Sequence, residues 1–165
     1  MKKLLLTLVA VAAISSSAFA VNLDLSANNH NGSSYGSVGV SDAAWAASVG
    51  FNNSKKEVEN AEETVSNIAI QVNGVNALDS NVDMTYGVKY TLTSGDISAT
   101  TEHDGTNTLG VFVGLQTALT DSLSLTANYF PYQVKTQIQK GSTTETKTTS
   151  LGGAVQIRAT YALSL

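Results

Sequence analysis

Few side chains in this sequence can move a proton or hold a metal. Its two histidines read His30-Asn31-Gly32 and His103-Asp104-Gly105, and the second follows Glu102. An imidazole changes charge near neutral pH, so each ring is a candidate general base. Covalent catalysis also needs a nucleophile and a group that orients the base, and neither ring has such companions at a telling spacing. Glu102-His103-Asp104 carries donors suited to a divalent cation, but three adjacent residues on one loop do not by themselves surround an ion. The absence of cysteine removes disulfides and thiolate metal sites. The expectation is therefore no catalytic residues, no metal, no cofactor and no enzyme.

The elements that would position these residues begin after a leader. Met1-Lys2-Lys3, the apolar run Leu4 to Ile14 and Ser15-Ser16-Ser17-Ala18-Phe19-Ala20 have the order of a secretory signal peptide cleaved after Ala20. This run of eleven residues, ten of them apolar, falls short of the ~20 that a membrane-spanning helix needs. Residues 1–20 are thus read as leader and 21–165 as one domain. Losing Lys2 and Lys3 leaves 7 basic against 13 acidic residues, a net charge of −6. Such a balance disfavours nucleic acid, whose phosphates call for Lys and Arg.

Within 21–165 the dominant signal is a period of two. From Leu151 to Leu165 one parity carries Leu151, Val155, Ile157, Ala159, Tyr161, Leu163 and Leu165, while the other carries Gln156, Arg158, Thr160 and Ser164 among small residues. Fifteen residues is long for a strand, whose usual length is ~5 to 6, but suits one that tilts across a bilayer. Similar alternation predicts strands over 21–26, 34–41, 45–52, 65–73, 82–92, 109–119 and 123–138. Phe130-Pro131 shifts the phase of the seventh by one, as a β-bulge does. The connections alternate between short ones, around Asp42, Gly74 to Ser80 and Asp121, and longer polar ones at 27–33, 53–64, 93–107 and 140–146. Even strand number with alternating loop length predicts an all-β fold: a closed, eight-stranded, antiparallel, up-and-down transmembrane β-barrel.

The two faces support this reading. The inward parity is small or polar, with Gly39, Gly50, Gly87, Gly110, Gly114, Gly152, Ala44, Ala46, Ala69 and Ala154, plus Phe112 as an anomaly. Five charges share it: Asp24, Asp83, Lys89, Lys135 and Arg158, with Arg158 expected to pair with Asp24 or Asp83. The outward parity is apolar, and its aromatics Trp45, Phe51, Tyr90, Tyr132 and Tyr161 fall near strand ends, where ring side chains favour the membrane interface.

On this pattern of leader, phased strands and asymmetric loops the chain resembles the small eight-stranded bacterial outer-membrane proteins, such as the OmpA transmembrane domain and OmpX. Members of that group usually end on an aromatic residue, whereas this chain ends Leu163-Ser164-Leu165. The resemblance implies an outer-membrane location, contact with membrane lipid and lipopolysaccharide, and handling by the barrel-assembly machinery. Two enzyme families use barrels of this size, lipid A deacylases and palmitoyltransferases. The His-x-Ser pair of the first is missing, and so are the second-loop Asp-Ser pair and amphipathic N-terminal helix of the second.

The functional expectation is a monomeric barrel with a filled lumen that displays four loops for surface interaction, adhesion or envelope integrity. The alternatives are a narrow pore for ions or small solutes and a secreted lipocalin-like carrier.

Overall fold

A computed structural model of the protein describes residues 22–30, 33–58, 61–96, 103–139 and 145–164. Residues 1–20, read above as a leader, and Glu102 and Leu165 lie outside these residues. Eight strands follow in order: β1 (Asn22–His30), β2 (Ser33–Ser41), β3 (Trp45–Val58), β4 (Ala61–Ala77), β5 (Val82–Asp96), β6 (His103–Ala118), β7 (Leu123–Gln139) and β8 (Glu145–Ser164). Each pairs antiparallel with the next, and β8 pairs with β1, which closes the barrel. Closure satisfies the backbone polar groups that an open sheet would leave along its edges.

Three short turns close one end through side chains that accept from the turn backbone. Asp42 Oδ1 takes hydrogen bonds from the amides of Ala44 (2.7 Å) and Trp45 (2.9 Å). Thr120 Oγ1 takes them from Ser122 (3.3 Å) and Leu123 (3.0 Å), and Asp79 Oδ1 takes one from Ser80 (2.6 Å). Asp and Thr recur in turns because they mimic a backbone acceptor in this way.

The other end departs from the sequence expectation. Of the segments read as loops at 27–33, 53–64, 93–107 and 140–146, residues 27–30, 33, 53–58, 61–64, 93–96, 103–107 and 145–146 are strand, and the others lie outside the described residues. The β1–β2 register runs out to His30↔Ser33, β3–β4 to Val58↔Ala61, β4–β5 to Thr64↔Asp96, and β7–β8 to Ile138↔Glu145. Of the charged run, Lys55 to Val58 belong to β3 and Ala61 to Glu63 to β4, and Gly74 to Ala77 belong to β4 rather than to a turn. At ~3.3 Å per residue and a tilt near 40°, the 20 residues of β8 rise about 50 Å, roughly twice the ~25 Å apolar band of such barrels. The strands are therefore longer than that band requires, and beyond it no lipid selects an apolar face.

The phase shift read at Phe130-Pro131 is a bulge on both sides of β7. Between the pairs Val113↔Tyr129↔Val155 and Val111↔Tyr132↔Leu151, β6 advances two residues, β7 three and β8 four. On β8 the extra residue is absorbed by Gly152 and Gly153, at φ +74° and +101°. An L side chain pays a steric cost in that region, which glycine escapes.

The surface is inverted relative to a water-soluble domain. Ile68, Ile70, Val88, Val111, Val113, Leu115, Val155 and Ile157 all face outward and are exposed, among more than a dozen other large apolar side chains. Val40, although of outward parity, is covered. Among the small residues read as inward, Gly39, Gly50, Gly110, Ala46, Ala69 and Ala154 are buried, whereas Ala44 sits exposed in the β2–β3 turn.

Candidate functional site

The interior is polar and hydrogen-bonded across its width. Thr85 Oγ1 on β5 donates to Asn128 Oδ1 on β7 (2.8 Å), and Asn128 Nδ2 donates to Gln156 Oε1 on β8 (3.2 Å). Gln156 Nε2 in turn donates to Asn28 Oδ1 on β1 (3.1 Å) and to the Tyr35 hydroxyl on β2 (2.7 Å). Asn28 Nδ2 ends the relay at Ser37 Oγ (2.8 Å). Thr85, Asn128 and Gln156 are fully buried, and their mutual bonding offsets the cost of burying amides, which left unpaired would be destabilising. Strand alternation alone aims these residues inward, and barrel closure brings positions as far apart as Asn28 and Gln156 together.

On the hairpin side of the relay lies an aromatic and basic group. Phe130 stacks against Phe112 with ring centroids 5.3 Å apart and against His30 at 4.8 Å. The anomalous Phe112 thus belongs to a small apolar cluster with Phe130 and Ala154. Lys89 Nζ lies 2.8 Å from His30 Nδ1 and 4.8 Å from the centroid of the Tyr35 ring. Room for these rings comes from glycine. A Cβ on Gly110 would stand 2.8 Å from the Phe130 ring, and one on Gly50 would stand 2.6 Å from that of Tyr35. A cavity of about 160 Å³ opens beside this group, lined in part by His30, Tyr35, Asn52, Asn67, Lys89 and Thr91.

On the turn side a second cavity, of about 210 Å³, is lined in part by Asp24, Asp42, Asp83, Asp121 and Arg158. Asp24 accepts from Ser41 Oγ (3.0 Å) and acts on Arg158 through its charge across this space. Arg158 is buried, and its Nε has no hydrogen-bond partner.

The five inward charges separate accordingly. Lys89 belongs to the upper cavity; Asp24, Asp83 and Arg158 belong to the lower. Lys135, in register with Thr108, keeps the inward parity but is exposed above the packed interior. Of the interface aromatics, Phe51, Tyr132 and Tyr161 are exposed, while Trp45 and Tyr90 are half-buried. Sequence reasoning missed His30 as an interior residue, and with it Tyr35, Asn128 and Gln156 as a bonded set. The sequence reads His30 as loop because Asn28-Asn29-His30 lacks apolar contrast; only its even spacing from Asp24 and Asn28 carries the signal.

No family model and no characterised sequence matches the chain at a significant level. Comparison with solved structures gives the outer membrane protein H (OprH) of P. aeruginosa at 11% identity, covering 87% of this chain and 99% of that one, with a TM-score of 0.56. The chain has the fold of the small eight-stranded outer-membrane barrels. Neisserial surface protein A (NspA) also matches this barrel, at 16% identity over 89% of this chain and 97% of that one, with a TM-score of 0.49. Ail of Yersinia pestis matches at 11% identity over 88% of this chain and 96% of that one, with a TM-score of 0.42. At these identities the likeness concerns the architecture.

Proposed function

We propose that the chain is a bacterial outer-membrane barrel whose interior is closed and whose work is done on its outer surface, in adhesion, surface interaction or envelope integrity. One observation carries this reading: the relay from Thr85 through Asn128, Gln156 and Asn28 to Ser37 spans the lumen from β5 to β2 with side chains bonded to one another. The exposed apolar wall supports insertion in a bilayer, since a water-soluble monomer does not leave so broad an apolar surface uncovered. In this orientation the three tight turns face the periplasm and the four hairpins project outward, with membrane lipid and lipopolysaccharide against the wall. Delivery would use the barrel-assembly machinery, and any extracellular ligand would meet the hairpin tips.

The test is electrical. Refolded protein in planar bilayers should insert without stable single-channel openings, and carbonate extraction should leave it in the membrane pellet. Steady conductance steps would favour the narrow pore instead, and release into the supernatant would favour a secreted carrier.

A further inference from the structure

The cavity on the hairpin side of the relay contains a cation without an anion. Lys89 is 3% exposed, and no carboxylate lines the cavity among the described residues. Lys89 Nζ lies 2.8 Å from His30 Nδ1, and as an ammonium it donates to a ring whose proton is on Nε2. That Nε2 is buried and has no hydrogen-bond partner. The remaining neighbours of the ammonium are the faces of Tyr35 (4.8 Å to the centroid) and Phe130 (5.8 Å), which soften a buried charge without neutralising it. Lys89 thus lies beside a space that holds no acceptor of matching charge, and burying a charge unpaired is costly.

We propose that this cavity binds a small oxyanion, a phosphate-type group, held by the Lys89 ammonium, which His30 Nδ1 positions at 2.8 Å. Asn52, Asn67 and Thr91, which line the same space, supply further polar groups around it. About 160 Å³ accommodates one such group with a little water. Two routes reach it. One is from the hairpin side of the barrel. The other is the wall itself: the last β2–β3 pair is Gly36↔Phe51, and Phe51 and Asn52 both line the cavity, so the wall loses a strand pair at that height. The first route admits free phosphate and the second a phosphate carried on a lipid.

The experiment is a titration of the full mature barrel, refolded in uncharged detergent micelles and labelled for histidine-ring NMR, at fixed pH and ionic strength. Inorganic phosphate should shift the His30 ring resonances saturably and leave those of His103 unmoved. Lys89→Gln should weaken the apparent affinity at least tenfold and His30→Gln, followed through the Lys89 ammonium, several-fold, while Asp24→Asn, in the lower cavity, leaves it unchanged. Heat-shifted electrophoretic mobility checks that each variant has folded. A parallel arm replaces free phosphate with a short-chain phosphatidic acid in the micelle; a His30 shift in that arm alone identifies a lipid-borne group. No saturable shift in either arm, or equal shifts in the wild type and Lys89→Gln, overturns the proposal. If binding survives while channel recordings show an open pore, the closed-lumen reading fails and the oxyanion site stands.

Discussion

Phe130 and Tyr132 are two residues apart and should share a face of β7, yet Phe130 is fully buried in the lumen and Tyr132 is 41% exposed on the outside of the wall. The bulge at Pro131, matched by Gly152 and Gly153 on β8, inverts the parity between them. A residue that cannot donate to the ladder falls where the ladder is interrupted.

This geometry makes Gly153 sensitive to any side chain. At φ +101° a β-branched residue is strained even though open space surrounds the position, so Gly153→Val should lower stability by about 1 to 3 kcal/mol. Urea unfolding in micelles measures this, and an unchanged midpoint would show that the bulge tolerates an ordinary strand conformation.

Filling the lumen at the neighbouring layer should be worse than emptying it partly. Gly110→Leu must displace the Phe130 ring, which a Cβ already crowds at 2.8 Å, and should prevent recovery of the compact, heat-shifted band on refolding. Phe130→Ala should still fold but lose about 3 to 5 kcal/mol through the cavity it leaves. The reverse ranking would place Phe130 outside the packed interior.

Depth along β8 predicts a graded response to charge on the outward parity. Ile157→Arg sets a guanidinium in the apolar band and should cost roughly 2 to 4 kcal/mol, whereas Thr149→Arg, on the same parity but near the exposed top of β8, should cost under about 1 kcal/mol. Equal folding yields in lipid vesicles for the two variants would contradict the placement of the band.

The relay should respond as a connected set. Gln156→Leu removes the partner of Asn128 Nδ2, Asn28 Oδ1 and the Tyr35 hydroxyl at once, and each buried polar group left unpaired costs about 1 to 3 kcal/mol. The double variant Asn128→Gly with Gln156→Gly should turn a silent barrel into one with measurable ion conductance. Continued silence in planar bilayers would mean that the lumen is blocked elsewhere.

At the turn end, Asp42→Ala removes the acceptor for two amides and should cost about 1 kcal/mol, with little effect on assembly. Thermal denaturation in micelles is sensitive enough to see it, and a loss of folding would reveal a larger role for that turn.

The eight strands, their up-and-down order, the tight turns at Asp42 and Asp121 and the phase break at Phe130-Pro131 were legible in the sequence, because across the apolar band one face must be greasy and the other must not. Ile157 beside Gln156 is that rule in two residues. Where β3 and β4 carry Lys55 to Val58 and Ala61 to Glu63, and where β1 ends at Asn28-Asn29-His30, the sequence has no apolar residues on alternate positions, so strand residues are indistinguishable from loop residues and the ladder continued unseen. Parity also states which way a side chain points and nothing about what it meets. The contacts of Lys89 with His30, and of Gln156 with Tyr35 across 121 positions, exist only because closing β8 onto β1 folds distant inward residues into one narrow lumen, where tertiary packing alone decides the partners.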